Sequence, residues 1–254
     1  MARVNADDEG TPPSTLLRLL WRSRTRYALR PGPRPRVTAD DIVTTAVQLA
    51  DESGLQGVSM RNVAQVLGVK VMTLYSHVPG KDAVSALMVD SVHGDFRFDP
   101  QPGAPVERTL RRLLEENYRM LLQHPWLLEM HTEQPPMGPG TLSKYEIELT
   151  ALAPLGLTDQ TMDAVLTFLL DFARGAAGDH VRRLRSRVDN VEWWESVQPY
   201  LAEYVQPDEF PLATRVGSAA GAELGGAYNA EAAYRFGSDL VVDAVARLAR
   251  PLKR

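Results

Sequence analysis

Ser59-Met60-Arg61-Asn62-Val63-Ala64-Gln65-Val66-Leu67-Gly68-Val69-Lys70-Val71-Met72-Thr73-Leu74-Tyr75-Ser76-His77 reads as two short helical segments hinged at Gly68. Ser59 stands where a side-chain oxygen accepts from the unpaired N–H groups of a first helical turn. Val63 and Leu67 share one face, and Ala64 is small enough to admit a second helix closely. Gly68 supplies the left-handed backbone of a tight helix exit. In the second segment Leu74 and Val78 are expected inward, with Lys70, Thr73, Ser76 and His77 on the other faces. A short helix with a polar outer face suits a major groove, so the stretch is expected to be a DNA-reading helix-turn-helix.

The flanks extend this unit. Thr38 opens a helix with Asp41 as the acid of a capping box and Ile42, Ala46, Leu49 and Ala50 at helical spacing; Gly54 and Gly57 end it. Pro79-Gly80 makes a turn, after which Lys81 to Asp95 keeps the helical period through Val84, Leu87, Met88, Ser91 and Val92. A Pro- and Gly-rich stretch, Asp99 to Pro105, separates this small unit from a longer one that reads helical throughout. There, Pro105 opens a helix with Leu110, Leu113, Leu114 and Leu121 inward, Pro125 to His131 is a short helix, and Gly140 to Ala153 another. Thr158 caps the longest helix, which presents Met162, Val165, Leu166, Leu169, Leu170, Ala173 and Ala176 along one face. The last helix, Ala230 to Ala249, is expected to answer with Ala233, Phe236, Leu240, Ala244 and Leu248. No period-two runs of β-branched residues appear, so the fold is expected to be all-α. Residues 1–37 are expected to form an arm, 38–96 a DNA-binding domain, and 104–254 a larger helical domain.

Composition bounds the function. At 254 residues and 44% hydrophobic content the chain can bury a real core. No stretch approaches the apolar length of a membrane span and the first residues are acidic, so a cytoplasmic protein is expected. The absence of cysteine excludes disulfides, thiolate metal sites and cysteine nucleophiles. The net charge of −4 is unevenly spread: Leu16 to Arg36 holds seven arginines and no acid, whereas Val37 to Phe96 has three basic against seven acidic side chains. Phosphate neutralisation supplies most non-specific DNA affinity, so the arm is the expected source of the missing cations. It combines an amphipathic helix, Thr15 to Leu29, with the extended linker Pro31-Gly32-Pro33-Arg34-Pro35. Arg30, Arg34 and Arg36 are placed to reach an adjacent groove or backbone; a solvated tail, or contact of Leu16, Leu17, Leu20 and Trp21 with anionic lipid, are the alternatives.

From Asp40 to Asp90, and above all from Gly68 to Lys81 with Thr73-Leu74-Tyr75, His77-Val78 and Lys81, the chain resembles the DNA-binding domain of the tetracycline-repressor (TetR) family. The arm is similar to the N-terminal extensions of members from high-GC Gram-positive bacteria, and the remainder resembles the family's divergent helical effector domains. The resemblance implies a homodimeric regulator that holds double-stranded operator DNA until a small molecule enters the C-terminal domain and spreads the two reading heads. No cofactor is expected. Arg61, Thr73, Tyr75, His77 and Lys81 match family positions that contact DNA. Chemically, Arg61 offers a fork to phosphate or guanine, Tyr75 and Lys81 suit phosphate, and Thr73 and His77 suit phosphate or base edges. Lys70 and Ser76 share the outer face, and Val71 and Met72 suit thymine methyls. Ser76 stands where some members carry a bulky aromatic. Tyr75 has a structural alternative as a plug between helices.

In the larger domain Met88, Tyr118, Trp126, Tyr145, Phe168 and Phe172 are candidate walls of an apolar effector pocket, with His131, Asp171 and Arg174 as polar anchors. The plainer reading makes the aromatics core and pairs Asp171 with Arg174 three residues on. Trp193 and Trp194 are adjacent, so only one can face inward. Gly175 and Gly178 within a helix imply a close crossing or room for a ligand. Five scattered histidines have no metal-ligand spacing. The broad apolar faces of the longest and last helices are expected to form a four-helix dimer interface. A helical enzyme or carrier with an incidental hairpin is the alternative, and no nucleophile triad, phosphate loop or metal-spaced carboxylate pair supports it; a constitutive architectural DNA binder would not need so large an apolar domain.

Overall fold

The computed structural model describes residues 11–24, 36–101, 103–130, 135–186, 190–224 and 229–249. Among these every regular element is helical. Pro13 begins α1 (Pro13–Leu20), its fixed φ suited to a first helical position. The helix gives way to a turn at Trp21, well short of the expected Leu29; residues 25–35 lie outside the described ones. α2 (Ala39–Ser53) carries the capping box as expected: the Thr38 Oγ1 accepts from Asp41 N at 3.2 Å, and Asp41 Oδ2 accepts from Thr38 N at 2.8 Å. Those hydrogen bonds hold the Asp41 carboxyl below its usual pKa. Gly54, at φ 72°, closes the helix.

α3 (Met60–Val66) and α4 (Val71–Tyr75) follow, and then α5 (Lys81–Gly94). α5 is buried nearly all round, through Ala83, Val84, Leu87, Met88, Val89, Asp90 and Val92, while Ser91 is exposed. A helix covered on all sides is an interior element, and α5 lies between α2 and α7 (Pro139–Leu152). Backbones touch here: a Cβ on Gly138 would overlap the Asp90 carboxylate, and one on Gly140 the Asp90 carbonyl. Asp90 Oδ1 in turn accepts from Thr141 N at 2.8 Å.

Deeper in the same joint sits a polar network. Glu148 Oε1 accepts from Asn117 Nδ2 at 2.9 Å and pairs with Lys144, all three side chains being buried. Burial pulls the Lys144 ammonium below the ordinary lysine range, opposed by Glu148. His93 Nδ1 lies 3.1 Å from Thr141 Oγ1, and burial together with the Lys144 charge lowers its pKa to about 3.

α6 (Val106–Gln123), α8 (Asp159–Arg185) and α11 (Ala230–Leu248) form the second layer, with Leu110, Leu114, Leu166, Leu169, Val242 and Val245 at its centre. α8 is capped by Thr158 as expected. α11 is rotated from the expectation: Tyr234, Ser238, Val242, Val245 and Ala246 face inward, and Ala233, Phe236, Leu240, Ala244 and Leu248 face out. Between α8 and α11 lie α9 (Asn190–Tyr204) and α10 (Pro211–Leu224), which the sequence pattern did not reveal; Pro199 inside α9 and Gly217 and Gly221 inside α10 obscure the helical signal. One apolar cluster runs from Ile42, Leu74 and Leu87 of the small unit into Tyr118, Leu121, Trp126 and Tyr234 of the large one. The head and the body share a core.

Candidate nucleic-acid interface and effector cavity

Local chemistry builds the reading head. Ser59 Oγ accepts from Asn62 N at 3.1 Å to cap α3, and Asn62 Nδ2 donates to the Gly57 carbonyl at 2.9 Å. Val63, Ala64, Leu74 and Val78 are buried, whereas Leu67 is half-buried. Gly68 takes φ 65°, which lets Val69 N return to the Ala64 carbonyl at 3.0 Å and turn the chain into α4. What remains outward is a mixed face: Arg61, Lys70, Met72, Tyr75, Ser76 and Lys81 are exposed, with Thr73 and His77 half-buried. Tyr75 is 45% exposed and so is not a plug between helices. Val71 departs from expectation, half-buried against the apolar cluster that also holds Val63, Ala64 and Leu74. Met72 is 75% exposed and is the apolar side chain that projects. The Ser76 hydroxyl donates to the Thr73 carbonyl at 2.6 Å. Arg36 is exposed beside the head, and Arg30 and Arg34 lie outside the described residues.

In the body, a cavity of about 370 Å³ opens between α8 and the start of α11. Asp171, Phe172, Gly175, Ala176 and Asp179 line it from α8, and Ala230, Ala233 and Tyr234 from α11. Its aromatic wall continues inward. The Tyr234 ring stacks on Tyr118 with centroids 3.9 Å apart and planes at 8°, and lies 6.1 Å from Phe172. The Tyr118 hydroxyl and His180 Nδ1 are hydrogen-bonded at 2.6 Å. Burial drives the Tyr234 phenol pKa well up, so the group stays a neutral donor. Asp179 is held by Arg182 at 3.0 Å and Arg183 at 3.2 Å; Asp171, at the lip, has no ion pair among the described residues. A larger hollow of about 920 Å³ lies between α9 and α10, around Trp194, Leu201, Val205 and Phe210, but none of its lining belongs to the core shared with the head.

Residues 99–248 match the family model for the tetracyclin repressor-like C-terminal domain. The chain is 33% identical over 201 residues to the HTH-type transcriptional repressor DrrR1 of Streptomyces coeruleorubidus, a match that covers 77% of this chain and 74% of that protein. The chain belongs to the TetR family. It is a transcriptional regulator with the family's all-α architecture. The fold is also that of apo ActR from Streptomyces coelicolor, at a TM-score of 0.71 and 22% identity over 85% of this chain and 98% of that one. ActR in complex with actinorhodin superposes with a TM-score of 0.70 at 23% identity, over 85% of this chain and 96% of that one.

In this TetR-family chain the expected effector residues separate into groups. Phe172 and Asp171 line the cavity, and Tyr118 stands directly behind Tyr234. Met88 and Trp126 are core instead: Met88 is enclosed in the head, and Trp126 Nε1 donates to Asp51 Oδ1 at 2.7 Å. Both are apolar residues at helical spacing whose neighbours close over them. Tyr145 lies on the outer face of α7, donating to Asp163 Oδ1 at 2.8 Å, and Phe168 faces outward from α8. Arg174 neither pairs with Asp171 nor enters the cavity; its Nη2 donates to the carbonyls of Leu127, Leu128 and Met130 at 2.8, 3.3 and 3.1 Å, closing the end of the short helix Pro125–Leu128. His131 lies outside the described residues. Sequence reasoning missed Tyr234, Ala230 and Asp179. Gly175 beside Asp171 was the signal, since a mid-helix glycine facing open space marks where α8 leaves room.

Proposed function

We propose that this regulator is a homodimeric repressor that holds operator DNA through α3 and α4 and releases it when a small molecule occupies the cavity between α8 and α11. The observation that carries the reading is continuity: Phe172, Ala176 and Tyr234 line the cavity and also pack on the apolar cluster that encloses α5 and the head. A ligand that moves them acts on packing shared with the reading helices. Residues 38–96 serve as head and 104–254 as body. On the head, Arg61, Tyr75 and Lys81 take phosphate, Lys70, Thr73, Ser76 and His77 line the groove, and Met72 meets base edges; the exposed cation Arg36 adds backbone contact. The exposed apolar stripe Phe236, Leu240 and Leu248, with the exposed Phe168 of α8, is the dimer face. No helix among the described residues is long and apolar enough to cross a membrane, in keeping with a cytoplasmic site of action.

A gel-shift titration on the DNA upstream of the chain's own gene tests the first half; absence of a sequence-specific, salt-sensitive complex sinks it. Addition of actinorhodin, the compound in the ActR complex, probes the second half. Release from the parent protein, lost in Phe172→Ala, supports the cavity; release retained by Phe172→Ala places the effector elsewhere.

A further inference from the structure

The segment ahead of the reading head is built into the place where head and body meet. α1 buries Leu20 in the shared core, with Leu16, Leu19 and Trp21 packed around it. Beyond its end, neighbouring side chains hold the two sides of the joint. Arg22 reaches the head: Nε donates to Asp40 Oδ1 at 3.1 Å, Nη2 pairs with the same carboxylate, and Nη1 donates to the Leu19 carbonyl at 2.8 Å. Trp21 reaches the body: its Nε1 donates at 2.9 Å to the carbonyl of Met137, 116 residues away. Met137 leads into the stretch where Gly138, Gly140 and Thr141 meet Asp90 of α5. α1, α5 and the start of α7 therefore converge on one junction. The far end of α2 is tied separately, where Asp51 accepts from Trp126 Nε1 at 2.7 Å and meets His124 Nδ1 at 2.8 Å. With Asp40 near one end of α2 and Asp51 near the other, the head's first helix is held at two points, and α1 supplies one of them.

We propose that α1 with Trp21 and Arg22 is a brace that fixes the angle of the reading head on the body, which makes Trp21 and Arg22 positioning residues for operator binding. This gives the N-terminal arm a role distinct from cationic contact with DNA, and it rests on the reading that the head binds an operator. Two heads must meet half-sites at a set spacing, so a head free to swing loses orientational freedom on binding and binds more weakly. The exposed Arg22–Asp40 pair is the weaker hold, and the Trp21 ring with the buried Leu20 the stronger. Because the indole is uncharged and its N–H is donated to the Met137 carbonyl, removing it is expected to change affinity without changing the number of counterions released.

The test uses the full chain and exploits its lack of cysteine. Cysteines introduced at the exposed Gln65 of α3 and Glu146 of α7 carry spin labels, with unlabelled chain in excess so that intrachain distances alone are read. In Trp21→Ala the head-to-body distance distribution is expected to broaden in folded protein without DNA. Operator affinity is expected to fall roughly tenfold at every salt concentration, with the slope of log K against log salt unchanged. Trp21→Phe, which keeps a ring and loses the N–H, is expected to fall between. An unchanged distance distribution in Trp21→Ala overturns the brace, whether or not the melting temperature drops. So does a loss of affinity that comes with a shallower salt slope, which would make the arm a phosphate contact. Failure of the parent chain to bind any operator would refute the operator reading, while the distance measurement would still decide the brace.

Discussion

The outer face of α4 and the outer face of α11 are both helical stripes left uncovered by the chain's own packing, yet they differ in kind. α4 exposes Lys70, Tyr75 and Ser76 around a single projecting apolar side chain, Met72. α11 exposes Phe236 at 69%, Leu240 and Leu248, and α8 exposes Phe168. A polar face with one apolar tip matches a groove rimmed by phosphate, whereas a row of large apolar side chains stays soluble only under another apolar surface. Exposure alone does not separate these partners. The chemistry of the exposed stripe does.

Both faces depend on the joint between head and body, and acid is expected to loosen it most. Burial beside the Lys144 charge holds His93 at a pKa of about 3 in the folded chain against an ordinary 6.5, so as pH falls the unfolded chain takes up the proton first. Stability from this group is complete above about pH 6.5 and is lost progressively toward pH 3, at about 1.4 kcal/mol per pH unit inside that window. His93 meets Thr141 and the Lys144 charge, which are tied in turn to Asp90 and Glu148, so its contribution is isolated as the difference between the parent chain and His93→Gln. Urea unfolding at pH 7 and pH 4.5 should show a smaller drop in the variant; equal drops would mean that His93 is not the group responsible.

Placing charge on the apolar stripe comes next. Phe236→Glu with Leu240→Glu is expected to yield monomers by sedimentation and to weaken operator binding on the order of a hundredfold, because two linked heads become two independent ones. A dimer that survives both substitutions would move the interface off α11. The corresponding damage to the head is smaller. Tyr75→Ala should weaken every operator variant alike, by roughly tenfold, since a phosphate contact carries no sequence information. Met72→Ala should have the least effect on overall affinity, roughly a few-fold, but should reorder preference among operators that differ in thymines. Uniform loss from both head variants would erase the proposed division between backbone and base contacts.

Legibility followed distance along the chain. The Thr38–Asp41 box, the Ser59 cap, Gly54 and Gly68 each depend on atoms within a few residues, and the structure has them as the sequence implied. The outward placement of Lys70 and Ser76 followed from the same local rules, whereas Arg61, Tyr75 and Lys81, which are also exposed, were singled out by the resemblance to the family. The effector residues did not follow. An aromatic at helical spacing has the same signature whether it lines a cavity, as Phe172 does, or fills the core, as Trp126 does. α11 was harder still, because it has apolar residues on two sides and either stripe satisfies the period; Tyr234 and Val242 turn inward because α6 and α8 lie there.

By itself, then, the sequence determined the helices with clear local signals, their starts and stops, and a reading head with its outward chemistry, because caps, turns and periodicity are settled between near neighbours. Tertiary structure alone decided that α1 is docked on the joint, that Arg174 closes a neighbouring helix end, that the cavity lies between α8 and α11, and which stripe of α11 faces out. Those outcomes depend on which helix surfaces meet across tens of residues, and the energy of burying one apolar face rather than another exists only once the opposing surface is in place.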